Sequence, residues 1–175
     1  VIVDEAYLEY VTDPALVSAI TLLPKYPNLI VTRTFSKAYG LAGLRVGYAC
    51  AHPKLVEVLE RVRESFNVNT PGLAACIAAL ADQEHVQTIR RGNDGEREWL
   101  SGQLRSRGLD VPPSQTNFLL ADFRREAAPI EAALVQRGVV LRPMVGYGLP
   151  GCLRITVGTR PENFRLLAAL DEVLP

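Results

Sequence analysis

The chain has 175 residues, 48% of them hydrophobic, which is enough for a respectable buried core in a globular protein. Nineteen basic and nineteen acidic side chains cancel, which excludes a global field drawing the chain to nucleic acid or an anionic membrane, so anion recognition must be local. No apolar run approaches the roughly eighteen residues of a membrane span. The first residues show no basic segment, apolar stretch and cleavage site, so a secretory route is not expected. Cys50, Cys76 and Cys152 lack metal-ligand spacing, so no metal is expected; they are read as reduced, inert thiols of a cytoplasmic protein.

In chain order, residues 1–3 form a short apolar run ending in acid, the pattern of a parallel strand that delivers Asp4 to its carboxyl end. Residues 29–32 and 46–51 predict two more strands. Pro53 opens a helix with Leu55, Val58, Leu59, Val62 and Phe66 on one face, and Pro71 opens an alanine-rich helix to about Asp82. From Gln83 to Arg107 the chain is strongly charged and loosely helical. Gly92 and Gly95 interrupt it, so a bent or broken connecting helix is expected, stopped by Gly108. A domain boundary is expected near residue 86, dividing the chain into 1–86 and 87–175. Beyond it the pattern predicts strand 117–121, helix 129–137, strands 139–141 and 153–157, and helix 161–173, a small α+β unit.

Residues 32–48, Thr-Arg-Thr-Phe-Ser-Lys-Ala-Tyr-Gly-Leu-Ala-Gly-Leu-Arg-Val-Gly-Tyr, set Lys37 close behind two hydroxyl residues and eight positions before Arg45. Thr34 and Ser36 can donate hydroxyl hydrogen bonds, and Arg45 can fork onto two phosphate oxygens. Such a set suits an imine-forming lysine beside a phosphate, the amine activated by neighbouring positive charge and partial desolvation. The bland reading is a turn: hydroxyls as turn formers, Lys37 and Arg45 as surface charges. Gly40 and Gly43 would let the backbone turn toward the site, with Tyr39 either packing or touching a ligand. Asp4 has two readings that its position alone does not separate: capping a helix, or holding a proton on a pyridine nitrogen. Alternation puts Arg154 on the face opposite Leu153 and Ile155. Arg142 offers a second guanidinium from a neighbouring strand, and two would suit a doubly charged phosphate better than one. His52 and His85 read as surface or helix-end residues, and Glu5 and Glu9 as solvated or structural charges.

The segment around Lys37 closely resembles the cofactor-lysine segment of the class I/II, fold-type I aminotransferases, most of all their histidinol-phosphate branch. Asp4-Glu5-Ala6-Tyr7 and 152–159, Cys-Leu-Arg-Ile-Thr-Val-Gly-Thr, resemble two further motifs of that family. The resemblance covers nearly the whole chain, matched to about the carboxyl-terminal half of a family member. It implies an α/β fold: part of a large, mostly parallel-sheeted cofactor domain, then a small α+β carboxyl-terminal domain. It implies pyridoxal 5′-phosphate as cofactor, with Lys37, Asp4 and Tyr7 catalytic and Asp4, Tyr7, Thr34, Ser36, Lys37 and Arg45 cofactor-binding. Tyr7 would hydrogen-bond the cofactor's 3′ oxygen, and Arg154, joined by Arg142, would hold a substrate phosphate. The implied reaction moves an amino group from glutamate to imidazole-acetol phosphate in histidine biosynthesis; threonine-phosphate decarboxylation and aromatic transamination are same-fold alternatives. The implied partners are small molecules, with no nucleic acid or membrane, and a homodimer for the full-length protein. The amino-terminal half, with its phosphate-binding loop, stacking aromatic and asparagine, is expected to be missing. The chain alone is therefore expected to be inactive and prone to association, or to serve only as a non-catalytic association fragment.

Overall fold

The computed structural model describes residues 1–174. It divides into two compact units, Val1–Arg90 and Arg91–Pro175. Among the described residues no helix is long and apolar enough to cross a membrane.

The first unit holds a three-stranded sheet: β1 (Ile2–Asp4), β2 (Ile30–Thr34) and β3 (Gly47–Ala51), in that order. β1 runs parallel to β2, pairing Asp4 with Thr32, and β3 runs antiparallel to β2, pairing Gly47 with Thr34. The carboxyl ends of β1 and β2 therefore lie at the same end of the sheet as the start of β3. Strand alternation divides the residues there into two sets. Asp4, Thr32 and Thr34 share one face, to which β3 contributes only Gly47, Ala49 and Ala51. Glu5 and Arg33 face the other way.

Two helices follow, α1 (Pro53–Val62) and α2 (Thr70–Ala81), each with proline in its first turn. His52 caps α1 by accepting the Lys54 N–H at Nδ1 (3.3 Å), and Asn69 caps α2 by accepting the Gly72 N–H at Oδ1 (2.7 Å). The apolar face expected on the first helix is present, but none of its residues is buried, and Phe66 lies beyond the helix end. Phe66 sits in a left-handed turn (φ 57°) and is 96% exposed. Leu73, Ile77 and Leu80 of α2 are exposed as well. The buried cluster of this unit is correspondingly small: Phe35, Val46 and Cys76, flanked by Tyr39, Leu41, Leu44 and Val68.

α3 (Gln83–Ser106) is one continuous helix, not the broken one its glycines suggest. A glycine in a helix interior costs about 1 kcal/mol, and buried anchors outweigh that. Val86, Leu100 and Leu104 are buried, while Asn93 and Arg97 both donate to the Thr116 carbonyl. The boundary between the two units falls within this helix. Gly108 ends the following turn at φ 80°.

The second unit is an antiparallel sheet, β4 (Phe118–Asp122), β6 (Cys152–Thr156) and β5 (Arg142–Pro143), with β6 central. α4 (Ala128–Gln136) and α5 (Arg160–Val173) complete it. Leu119, Ala121, Leu153 and Ile155 from the sheet join Leu100, Leu104, Ile130, Leu134, Leu166 and Leu170 from the helices in one core. α5 starts on Thr159, whose N–H and hydroxyl both donate to Glu162 (2.7 Å each), holding that carboxyl below the usual range. The strand expected at 139–141 is not formed: Val139 N–H donates to Leu134 in the helix-ending turn, and the ladder to β6 begins only at Arg142. Pro143, lacking an N–H, keeps it short.

Candidate active site

The connection from β2 to β3 carries most of the expected chemistry, and buried aromatics shape it. Phe35 is buried against Tyr39 (ring centroids 5.0 Å) and Tyr48 (5.9 Å), and its N–H donates to Val46 O (3.1 Å). Thr34 Oγ1 accepts the Ser36 N–H (3.0 Å), a local turn that holds the two hydroxyl residues together. The Lys37 carbonyl accepts the Gly40 N–H (2.9 Å), and Gly40 takes φ 70°, where a side chain would be strained. Gly43 has no such conformation and open space around it. The tight approach is at Gly47, where a Cβ would stand 2.7 Å from the Arg33 carbonyl.

Lys37 Nζ lies 5.2 Å from the centre of the Tyr7 ring. Tyr7 follows the turn after β1, in which Asp4 Oδ1 accepts the Ala6 N–H (3.1 Å) and the Thr32 hydroxyl (3.2 Å). Arg45 stands two residues before β3, near the end of β2, in a left-handed conformation (φ 57°). Its Nη1 donates to Ala42 O (2.9 Å), and among the described residues no carboxylate pairs with it. Asp4, Tyr7, Thr34, Ser36, Lys37 and Arg45 are thus gathered at one end of one sheet. A non-glycine residue held at positive φ costs about 1–2 kcal/mol, and such strain collects at functional sites.

Beneath this face lies a buried ion cluster that the sequence did not reveal. Glu5 accepts from Arg33 Nε (3.0 Å), Ser18 Oγ (2.8 Å) and the Ala19 N–H (2.5 Å), while Arg33 Nη1 stands 3.7 Å from Glu9. Of the two readings open for Glu5 and Glu9, solvated or structural, both are structural. Burial pushes the Glu9 carboxyl above its usual range, and likewise the Tyr39 hydroxyl. Alternation was the available signal, since Glu5 and Arg33 each follow a residue of the opposite face. Asn69 was also missed: its Nδ2 donates to Leu44 O (3.0 Å), tying the start of α2 to the residue before Arg45.

In the second unit, Arg142 and Arg154 are direct cross-strand partners and line one groove with Val140, Leu141, Pro143 and Thr156. Arg154 lies opposite in facing to the fully buried Leu153 and Ile155. Like charges directly opposite are unfavourable. Among the described residues neither guanidinium has a carboxylate partner, and the buried Arg154 Nε has no hydrogen-bond acceptor. A bound anion would relieve all three conditions. Asn117, whose carbonyl accepts the Val157 N–H (2.9 Å), serves the backbone at this strand end. His85, whose N–H donates to Asp82 Oδ1, is a helix-end residue. All three cysteines are free, and burial raises the thiols of Cys76 and Cys152.

A family model for aminotransferase class I and II matches residues 1–170. The chain belongs to that family. It is 49% identical to histidinol-phosphate aminotransferase 2 of Pseudomonas fluorescens over 99% of this chain and 47% of that protein. It is 50% identical to histidinol-phosphate aminotransferase 2 of Methylococcus capsulatus, again over 99% and 47%. The crystal structure of histidinol-phosphate aminotransferase from Sinorhizobium meliloti in complex with pyridoxal-5′-phosphate superposes with a TM-score of 0.82 at 36% identity. It covers 99% of this chain and 48% of that one. The α/β fold is therefore that of the class I and II aminotransferases, and the chain spans about half the length of the curated relatives it matches.

Proposed function

We propose that this chain is the part of a pyridoxal-phosphate-dependent aminotransferase that carries the cofactor lysine. The whole protein would transfer an amino group between glutamate and the phosphate-bearing ketone of histidine biosynthesis. The observation that supports this most is the gathering of Lys37, Tyr7, Asp4, Thr34 and Arg45 at one sheet end. The residues suit the cofactor. An Arg45 guanidinium without a carboxylate, two adjacent hydroxyls, a carboxylate and a lysine amine match its phosphate, its ring nitrogen and its aldehyde.

When bound, pyridoxal phosphate supplies an aldehyde and a ring that accepts electrons from the substrate α-carbon. Arg45, Ser36 and Thr34 hold its phosphate. Asp4 keeps a proton on its ring nitrogen, and Tyr7 donates a hydrogen bond to its 3′ oxygen. Lys37 Nζ provides the anchoring amine and, once released, moves the proton at the substrate α-carbon as general base and acid. Arg154 and Arg142 grip an anionic group, the phosphate of one substrate and a carboxylate of the other. We further take the whole protein to be a cytoplasmic homodimer.

The experiment is an assay of a protein extended to the length of the relatives, supplied with histidinol phosphate and 2-oxoglutarate. Glutamate formation, abolished in Lys37→Ala, is expected. Release of carbon dioxide from threonine phosphate, or a preference for aromatic amino acids, would overturn the substrate assignment.

A further inference from the structure

The groove that holds Arg142 and Arg154 raises a physical question: what keeps the Arg154 guanidinium in place beside a second positive charge? No carboxylate among the described residues does so. The Phe118 ring does lie against it, with 4.9 Å between the guanidinium carbon and the ring centre. Phe118 pairs with Thr156 across β4 and β6, so it is the diagonal neighbour of Arg154 on the same face, within reach of a long side chain. An aromatic face attracts a guanidinium without consuming any of its N–H donors.

We infer that Phe118 is a positioning residue that orients Arg154 for anion binding, leaving its N–H donors, including the orphan Nε–H, for a phosphate or carboxylate group. The inference rests on the proposed reading of Arg154 as an anion-binding residue and names what sets its orientation. Phe118 is itself firmly placed. Its carbonyl accepts the Ser114 hydroxyl (2.7 Å) and the Thr116 hydroxyl (3.1 Å), and its N–H donates to Thr116 Oγ1 (3.2 Å). The Thr116 carbonyl in turn accepts Asn93 Nδ2 (3.1 Å) and Nη1 (3.4 Å) of Arg97, a side chain buried in α3. The ring is thus held by the strand entrance, and the guanidinium by the ring. Without the ring, Arg154 is free to turn away from Arg142, and the two donors no longer converge.

The test uses the 175-residue chain and inorganic phosphate, with affinity from calorimetry and the Arg154 Nε–Hε signal from ¹⁵N NMR. The variants are Phe118→Leu and a series carrying one, two or three fluorines on the Phe118 ring. Fluorination weakens the ring face while keeping its shape, so it isolates the contact even if Phe118→Leu fails to fold. Phosphate is expected to shift the Arg154 signal in the parent chain. Affinity should fall about fivefold to thirtyfold in Phe118→Leu, and stepwise with fluorination at unchanged thermal midpoint. Unchanged affinity across the fluorinated series would overturn the role of Phe118 and leave Arg154 as an anion site. An Arg154 signal indifferent to phosphate in the parent chain would overturn the anion site itself, and the positioning role with it.

Discussion

Removing Glu5 tests whether the buried charge cluster holds the sheet end on which the candidate site stands. Its carboxylate accepts three hydrogen bonds, from Arg33 Nε, the Ser18 hydroxyl and the Ala19 N–H, with Arg33 Nη2 2.9 Å away, and both members of the ion pair are largely shielded from water. Glu5→Ala leaves the Arg33 cation with Glu9, 3.7 Å away, as its one nearby carboxylate among the described residues, beside the uncharged Ser18 hydroxyl (2.9 Å). Breaking a buried pair from one side costs about 3–5 kcal/mol, mostly the desolvation of the abandoned charge. At 1.36 kcal/mol per tenfold, amide exchange in β2 should accelerate by about a hundredfold to several thousandfold. The amides of β6, in the other unit, serve as an internal control and should be unaffected. The double variant Glu5→Ala/Arg33→Met should recover much of the loss, because it removes the stranded charge as well. Exchange in β2 changed by less than about tenfold, or single effects that simply add in the double variant, would refute this account.

Three further outcomes follow from burial and backbone geometry. Leu134→Ala empties a fully buried position in the second-unit core and should cost about 2–5 kcal/mol in a denaturant titration followed by Trp99 fluorescence. Phe66→Gly relieves a left-handed residue whose ring touches mostly solvent; it should raise stability by up to about 1 kcal/mol and reduce self-association measured by sedimentation. A destabilised Phe66→Gly protein would show that the ring is anchored. For Glu9, burial raises the folded-state carboxyl above its unfolded value, so the native state binds the proton more tightly. That stability is complete below the ordinary glutamate range and is lost as pH rises through the elevated folded value. The parent chain should therefore lose stability relative to Glu9→Gln as pH rises from the ordinary glutamate range, about 4.3, through the elevated folded value. Parallel curves in urea titrations across that range would contradict it.

How much of this was legible in the sequence depends on the kind of signal. Prolines at the first turns marked α1, α2, α4 and α5 because proline suits that position, and each helix starts within a residue of the expected place. The motif around Lys37 and the Asp4-Glu5-Ala6-Tyr7 run carried the family, since each residue type there serves a definite chemical need. Gly92 and Gly95 misled, because local propensity in α3 yields to Leu100, Leu104 and Arg97 packed elsewhere along the helix. The apolar run 139–141 misled for the opposite reason: Val139 is spent on a turn, and a strand exists only where β6 offers a partner. Phe66 looked like one more apolar residue on a helical face, and nothing in its spacing announces a left-handed exposed turn. The Glu5–Arg33 cluster and the Phe118–Arg154 contact join residues 28 and 36 positions apart, so alternation could hint at a shared face but the strand pairing is what brings them together.

The central claim, that one nitrogen of this chain is built to receive a pyridoxal aldehyde, is open to a direct measurement because the sequence contains only three lysines, Lys25, Lys37 and Lys54. The chain is mixed with pyridoxal phosphate, reduced with borohydride, and the pyridoxyl label located by peptide mass spectrometry. The account predicts label concentrated on Lys37, with Arg45→Ala lowering it there and leaving Lys25 and Lys54 unchanged. Label spread evenly over the three lysines, or favouring Lys25 or Lys54, would contradict it.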